Sequence, residues 1–446
     1  MENAVGNGAP AKFVSTNEAE ARRHAICVPR TLSVSEVRNC RREQPQVATT
    51  AQNKKIPVWK MEEFMDFFNA LGAYFMEGMS SLGWQQFVMY AIGGLLIYLA
   101  IAKDYEPALL LPIGFGAILV NLPLEILWSH DGQSGALQIL YNAGIMTELF
   151  PLLIFIGVGA MIDFRPLLQR PWMLIFGIVA HFGIFIAAVL AHYCFGFDWA
   201  NALSIGTIGA ADGPTAIFVS RKFAPGLLGP ITVVAYSYMS LVPIIMPPVI
   251  KLLTTKKERM LHVEGTDKNI PKWLVIVFPI FIAVICGILV PVSAPLMGFL
   301  MFGNLIRECG VIDKLSKSAQ NELANIVTLL LGISVGGTMR AENFLQPSTL
   351  LIMILGLVAF VGDTVCGVLF AKFLNLFRRK KLNPMLGACG LSAFPMASRV
   401  VQKMALKEDD QNFILMHAVS ANVSGQIGSV LIGGIIIAIL ESHALG

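Results

Sequence analysis

The sequence predicts an all-α polytopic membrane protein. Of its 446 residues, 55% are hydrophobic and only 14% are charged, and the mean hydropathy is +0.66, far above that of a water-soluble domain. Uncharged runs, most of them long enough to span a membrane as helices, lie at 78–102, 107–124, 149–162, 171–197, 223–250, 273–306, 343–362 and 411–440. Open strands cannot satisfy their backbone groups in lipid, and a β-barrel would show short alternating segments, so helices remain.

The N-terminal stretch differs in kind from the rest. Residues 1–60 are polar, contain six arginines and have no apolar core, which predicts a disordered arm. The net charge of +4 comes largely from this arm and from basic loops, and it indicates no nucleic-acid partner. The seven cysteines have neither CxxC nor His-paired spacing, so the sequence predicts neither a metal cluster nor a disulfide framework.

The membrane part contains a weak internal repeat. Shifting residues 206–224 by 181 positions lays them on 387–405, and seven of nineteen positions match. The matched pairs are Gly206 with Gly387, Gly209 with Gly390, Pro214 with Pro395, Ala216 with Ala397, Val219 with Val400, Lys222 with Lys403 and Ala224 with Ala405. We therefore expect two halves, 61–250 and 273–446, joined by the basic loop 251–272.

The charges around the two copies indicate that the repeats are inverted. Basic residues mark the cytoplasmic side of short loops, which places 251–272 and the RRKK stretch at 378–381 inside. The helix before the first copy then runs outward, whereas the helix before the second copy runs inward. A full crossing by 199–222 would contradict this topology, so we expect a broken or re-entrant segment there. This leaves Arg221 and Lys222 on the outer side, which is a mild discordance.

The second copy predicts a matching broken segment at 383–404. Glycines and prolines at 206, 209, 213, 214, 387, 390 and 395 supply helix breaks in both copies. Two broken segments in corresponding positions of inverted halves point to an ion site at the midplane of the membrane. Asp212 is the acidic residue that interrupts the first segment, and an ionisable group at this depth usually faces a cavity or a partner.

Several longer blocks of the chain are distinctive. They are GVGAMIDFRPLL, GAADGPTAIFVSRKFAP, AYSYMSLVPIIMPP, FGNLIRECG, NPMLGACGLSAFPMASRV and NFILMHAVSANVSGQIGS. These blocks resemble the beta subunit of the biotin-dependent, sodium-pumping decarboxylases, which include the oxaloacetate, methylmalonyl-CoA, glutaconyl-CoA and malonate systems. The resemblance implies removal of CO2 from carboxybiotin on a carrier protein, coupled to Na+ export.

The resemblance also implies a set of site residues. Asp212, Tyr238 and Arg399 would carry the chemistry, with Tyr236 as a neighbouring alternative to Tyr238. The resemblance further implies Arg399, Gly387 and Ser392 as contacts of carboxybiotin, and Asp212, Asn383 and Ser392 as ligands of Na+.

Each of these residues has a structural alternative. Asp212 could pair with a lysine or cap the helix after Pro214, and Asn383 could cap a helix next to Pro384. Tyr238 could be an ordinary buried tyrosine with a satisfied hydroxyl, and Arg399 could be an interfacial arginine. Asp363 stands where the family pattern predicts a small uncharged residue. It could be a second ion or proton site or the partner of a basic side chain.

The implied partners are an alpha subunit with carboxyltransferase and biotin-carrier functions and a small gamma subunit, in a hetero-oligomer in the inner membrane of a bacterium. The chain has no Met-Lys-Met carrier sequence of its own. A sodium-coupled secondary transporter of a small carboxylate has the same architecture and is the rival prediction. A passive anchoring subunit would not explain two polar broken segments.

Overall fold

The structure is a computed structural model that describes residues 58–104, 107–130, 132–263 and 269–444. The described residues are almost entirely helical, with one antiparallel pair of two-residue strands, β1 (Ser129–His130) and β2 (Gln133–Ser134). The predicted all-α class is therefore confirmed. The predicted arm at 1–60 lies outside the described residues up to position 57, and one compact unit of the chain begins at Ala70.

The first half of the chain contains eleven described helices. They are α1 (Val58–Ser80), α2 (Trp84–Lys103), α3 (Pro107–Val120), α4 (Ala136–Gly144), α5 (Leu149–Met161), α6 (Arg165–Gln169), α7 (Leu174–Ala180), α8 (Phe182–Phe195), α9 (Trp199–Gly206), α10 (Gly213–Phe223) and α11 (Leu228–Leu253). A 3-10 turn, Thr207–Ala210, follows α9 directly. The first predicted broken segment is thus two short helices with an interruption between them.

Nine described helices follow. They are α12 (Lys256–Arg259), α13 (Lys272–Leu289), α14 (Ala294–Glu308), α15 (Asp313–Ser318), α16 (Ala324–Gly337), α17 (Ala341–Phe344), α18 (Pro347–Phe377), α19 (Met396–Glu408) and α20 (Leu415–Ala444). A 3-10 helix, Pro384–Gly390, precedes α19 and forms the start of the second broken segment. The single apolar run at 273–306 is two helices, because Pro291 begins a 3-10 turn that separates α13 from α14.

Within the described residues, six helical stretches are long and apolar enough to cross a membrane. They are Trp84–Lys103, Pro171–Phe195, Pro225–Leu253, Lys272–Leu289, Pro347–Phe377 and Leu415–Ser442. A further span is available if α4 and α5, which are bent by 61° at a short break, act together. These stretches confirm a polytopic membrane protein.

Each of the two broken segments packs on helices of both halves. Helix α10 of the first half packs on α20 of the second, and α19 of the second half packs on α11 of the first. In the same way, the turn Thr207–Ala210 packs on α18, while the 3-10 helix Pro384–Gly390 packs on α7. This reciprocity is the pattern that two inverted repeats produce around an internal two-fold axis.

A second group of helices packs through glycines. A Cβ on Gly159 of α5 would lie 1.9 Å from the Leu300 carbonyl oxygen of α14, and one on Gly303 would lie 2.1 Å from that of Ile156. Helices α3 and α16 also approach closely, since a Cβ on Gly116 would lie 2.6 Å from the Ile333 carbonyl oxygen and one on Gly336 would lie 2.3 Å from that of Ile113. Small residues at such crossings let backbones touch in lipid, where burial of apolar surface gives little driving force. The result is a tight four-helix support beside the broken segments.

Basic stretches that were predicted to be cytoplasmic meet at one end of the molecule. His262 and the stretch 378–381 line one open cavity, and the Lys372 ammonium lies 3.1 Å from a Glu258 carboxylate oxygen. Partial burial raises the pKa of Glu258, but hydrogen bonds from Thr255 and Lys372 outweigh it and hold the pKa below its usual value. The loop is therefore tied to α18.

The discordant charges Arg221 and Lys222 are both neutralised. Arg221 forms an ion pair with Glu148, and Lys222 forms one with Glu441 near the end of α20. The positive-inside rule counts Lys and Arg residues and not net charge, so these ion pairs stabilise the two side chains but do not remove the mild discordance with the predicted topology.

Candidate functional site

The first broken segment turns sharply at its acidic residue. Ala211 has a left-handed backbone (φ 53°, ψ 40°) and Asp212 is extended, so the helical path stops between Ala210 and Gly213. A Cβ on Gly213 would lie 2.2 Å from the ring of Tyr236, so only glycine fits there. Pro214 follows in the first turn of α10, where a missing N–H costs nothing.

Asp212 is buried, and hydroxyl groups hold its side chain. One carboxylate oxygen accepts hydrogen bonds from the hydroxyls of Thr215 and Ser429, each at 2.7 Å. It forms no ion pair with a lysine or arginine of the described residues, so the lysine alternative is not observed. Asp212 is, however, the N-cap residue of α10, and the backbone N–H of Thr215 stabilises its carboxylate, so the structure agrees with the capping alternative.

The second broken segment is hydrogen-bonded to the first. Both the backbone N–H and the hydroxyl of Ser392 donate to the Ala210 carbonyl, at 3.2 and 2.6 Å. Helix α20 supports this extended stretch, because the Gln426 amide donates to the Ser392 carbonyl and that of Asn422 donates to the Leu391 carbonyl. Two residues separated by 182 positions thus meet at one point.

A cavity of about 180 Å³ opens where these segments meet. Asp212, Tyr236, Ser392 and Gln426 contribute to its wall from the broken segments, α11 and α20. Apolar side chains of α3 and α5 form much of the remainder, and α16 adds the polar residues Asn325 and Thr328. A mostly apolar pocket with a few converging oxygens suits a small polar ligand and a cation.

Comparison with known proteins identifies this architecture. Residues 85–440 match the family described as Na+-transporting oxaloacetate decarboxylase beta subunit. The chain belongs to this family. It is 44% identical over 418 residues to the oxaloacetate decarboxylase beta chain of Klebsiella pneumoniae, covering 81% of this chain and 96% of the relative.

Relatives with other acyl substrates in their names are equally similar. The methylmalonyl-CoA decarboxylase subunit beta of Veillonella parvula is 47% identical over 356 residues, covering 80% of this chain and 93% of the relative. The glutaconyl-CoA decarboxylase subunit beta of Acidaminococcus fermentans is 46% identical over 364 residues, with coverages of 82% and 96%. The chain is therefore a membrane-embedded beta subunit of a Na+-transporting decarboxylase complex, which the secondary-transporter prediction does not fit.

Two of the residues expected in the beta-subunit site, Asn383 and Gly387, contact backbone groups of neighbouring segments. The Asn383 amide donates to the carbonyls of Arg259 and Leu261, and its oxygen accepts the Met385 N–H at 3.1 Å, which is the capping role. Gly387 packs on Gly367 of α18, where a Cβ would lie 1.9 Å from the carbonyl oxygen. Neither residue lines the cavity that contains Asp212.

The two tyrosines of the beta-subunit block AYSYM face different ways. The Tyr238 hydroxyl donates to the Met353 carbonyl of α18, as in the structural alternative. Tyr236 lies against Gly213 and lines the cavity, and its buried hydroxyl has no hydrogen-bond partner among the described residues. The structure thus brings Tyr236 to Asp212 and leaves Tyr238 on the opposite face of α11.

Arg399 lies one helical turn from the cavity. Its backbone N–H donates to the carbonyl of Pro395, which lines the cavity together with Phe394. The side chain is exposed, and its guanidinium forms no ion pair within the described ranges. Arg399 is therefore available as a positive charge beside the site.

Several polar residues of the site carry no signal in the sequence. Asn325 and Thr328 lie in an apolar helix, and Ser429 and Gln426 come from the last helix of the chain. Small hydroxyl and amide residues are common in membrane helices, where they bond to the preceding turn. Only the three-dimensional approach of α16 and α20 to Asp212 distinguishes them.

Proposed function

We propose that this chain decarboxylates carboxybiotin delivered by a carrier protein and couples the reaction to export of Na+. The observation that carries the proposal is the hydrogen-bonded junction of the two broken segments at the cavity that contains Asp212. Membership of the Na+-transporting decarboxylase family supplies the reaction class.

The Na+ site is proposed around Asp212. Its carboxylate supplies one negative charge, and neutral oxygens of Thr215, Ser429 and Ser392 lie in hydrogen-bonding contact with it or with the adjoining turn. Oxygen donors of this kind suit a hard cation. Asn383 was predicted as a further ligand, but it does not line the cavity that contains Asp212, so the proposed site does not include it.

The same cavity is proposed to receive the reacting end of carboxybiotin. Ser392 contributes a hydroxyl at the wall, and Gly387 sets the position of this stretch by its close approach to Gly367. Arg399 provides the charge that draws the carboxylate toward the cavity, because a planar guanidinium can bind a carboxylate with two parallel hydrogen bonds.

The reaction itself consumes one proton. The bond between the ring nitrogen and the carboxylate carbon breaks, CO2 leaves, and the nitrogen takes up a proton. Tyr236 is the cavity hydroxyl best placed to orient or relay this proton, since it is buried beside Asp212 and otherwise unpaired among described groups. Tyr238 would first have to give up its bond to Met353.

Partners and location follow the family. We propose an alpha subunit with carboxyltransferase and biotin-carrier functions and a small gamma subunit, with the complex in the inner membrane of a bacterium. Relatives named for three different acyl substrates are about equally similar to this chain, which supports assigning substrate choice to the alpha subunit. The basic end around 251–263 and 378–381 is proposed to face the cytoplasm.

Reconstitution tests the proposal directly. The complex is captured on avidin resin through its biotinylated partner, placed in sealed vesicles and supplied with the acyl substrate. We expect Na+-dependent CO2 release together with movement of radioactive Na+ across the membrane. Flux of Na+ driven by a carboxylate gradient, with no CO2 released, would instead establish the transporter.

A further inference from the structure

Asp363 is a second buried carboxylate that the proposed reaction does not use. It lies in the middle of α18, is completely buried, and forms no ion pair with a lysine or arginine in the part of the chain that the structure describes. The prediction that it partners a basic side chain therefore has no support. An ionised carboxylate at this depth is costly without such a partner.

One oxygen of Asp363 has a structural explanation. It accepts the backbone N–H of Ile184 at 3.2 Å, where the span Pro171–Phe195 is interrupted at His181 and α8 begins. A carboxylate at the first turn of a helix satisfies a free N–H group and favours the positive end of the helix dipole. The backbone N–H of Gly183 also stabilises this carboxyl group, and Oδ2 is still left without a hydrogen-bond partner among the described groups.

The other oxygen faces the first broken segment. Oδ2 is buried and has no hydrogen-bond partner among the described groups. A Cβ on Gly209, in the turn that leads to Asp212, would lie 3.0 Å from it, and a Cβ on Gly183 would lie 2.4 Å from Oδ1. The two glycine backbones close the space on both sides, which leaves room for a proton but not for a cation with its shell of oxygen ligands.

The turn 207–212 therefore lies between two buried carboxylates. Asp363 touches it at Gly209, Ser392 holds it at Ala210, and Asp212 ends it. Any shift of this turn when a cation binds at Asp212 changes the surroundings of the unpaired oxygen of Asp363. The two sites share one structural element, which is the physical requirement for coupling.

We propose that Asp363 is a proton-binding site whose protonation is linked to Na+ binding at Asp212 through the turn 207–212. The inference rests on the proposed Na+ site. Asp363 holds its proton while Gly209 covers it, and it exchanges that proton when the turn moves. Linkage makes the effect reciprocal, so the proton state of Asp363 tunes the affinity for Na+.

Other titratable groups lie on the elements that pack around this carboxyl group, and none of those described is hydrogen-bonded or ion-paired to it. They are His181 between α7 and α8, Asp212 beyond the turn, Tyr236 and Tyr238 on α11, Cys389 in the 3-10 helix and Cys366 on α18 itself. The His181 ring bonds to the Gly177 carbonyl through one nitrogen, and the Tyr238 hydroxyl is engaged by Met353. Nε2 of His181 and the hydroxyl of Tyr236 are likewise buried without a hydrogen-bond partner among the described groups, but Oδ2 of Asp363 is the atom that lies against the turn, at Gly209.

Infrared difference spectroscopy on the reconstituted complex tests the proposal, with Na+ and pH as the only variables. Adding Na+ should change the C=O band of a protonated carboxyl group, and Asp363→Asn should abolish that change. The variant keeps an oxygen for the Ile184 N–H, so α8 stays capped. A band change that persists in the variant would overturn the proposal.

A Na+ titration of decarboxylation at several pH values provides the functional measurement. If Na+ binding releases the proton, the apparent Na+ affinity of the wild type rises with pH by up to about tenfold per pH unit, and Asp363→Asn flattens this dependence. If Asp363→Asn has the same pH profile as the wild type and Asp363→Ala only lowers the melting temperature, the proton-site proposal is wrong and Asp363 serves only to cap α8. Asp212→Asn separates the two proposals, because a Na+-induced band change that survives in it would place the cation elsewhere.

Discussion

Gly387→Ala tests whether the second broken segment must lie directly on α18. The new Cβ would lie 1.9 Å from the Gly367 carbonyl oxygen and 2.5 Å from its carbon. It would fall short of a 3.0 Å closest approach by about 1.1 Å, so the segment must move by roughly that distance. Forced insertion of one methyl group into a packed core costs about 1–3 kcal/mol.

The displacement propagates to the cation site. Ser392 is five positions further along the same segment, and its hydroxyl bond to Ala210 is 2.6 Å long. A shift near 1 Å breaks or stretches that bond, which contributes about 0.5–1.5 kcal/mol. We therefore expect the Na+ concentration for half-maximal decarboxylation to rise by about threefold to tenfold, because 1.4 kcal/mol corresponds to a factor of ten.

The assay compares the purified complex with a matched glycine variant. Gly298→Ala in α14 adds a methyl group where no atom lies within 4 Å, so it should leave the Na+ titration unchanged and stabilise the helix slightly. The melting temperature of Gly387→Ala should fall. Equal melting temperatures and equal Na+ titrations for the two variants would refute the packing argument.

Three further predictions concern side chains around Asp212. Ser429→Ala removes one of two hydroxyl donors to the carboxylate, so the affinity for Na+ should fall by about threefold to tenfold in a Na+ titration. Avidin capture should show that the complex still assembles. Tyr236→Phe should slow decarboxylation at saturating Na+, whereas Tyr238→Phe should mainly lower the melting temperature through loss of its bond to α18. The reverse order would restore Tyr238 to the site. With limiting carboxylated carrier, Arg399→Lys should decarboxylate clearly more slowly than the wild type, and Arg399→Ala more slowly still. Normal turnover of both variants would mean that Arg399 is only an interfacial arginine.

The architecture followed from the sequence because hydrophobic runs and loop charges are local signals. Run lengths marked the spans, and glycines and prolines marked the two breaks. The same signals could not show that α4 and α5 are bent by 61° or that Arg221 pairs with Glu148, because both depend on contacts between distant segments. The domain boundaries at 61–250, 251–272 and 273–446 stay predictions.

The site could be predicted only where a single residue stood out. Asp212 is an isolated carboxylate in an apolar stretch, and Ser392 lies in the second break, so both were within reach. The direction in which a side chain points could not be predicted, because residues close together on one helix can face opposite ways, as Tyr236 and Tyr238 do. Ser429 comes from a helix 217 positions away, and no spacing connects it with Asp212.

The most direct measurement of the central claim is Na+ binding by the purified complex with Asp212→Asn. The variant keeps the shape and the hydroxyl neighbours but removes the charge. Loss of a charged oxygen partner should weaken binding by about 10-fold to 100-fold, and Na+-dependent CO2 release and Na+ transport should fall together. Asp410→Asn, at an exposed position beyond α19, is the matched control and should behave as the wild type. Unchanged Na+ affinity and Na+ activation in Asp212→Asn would contradict the account.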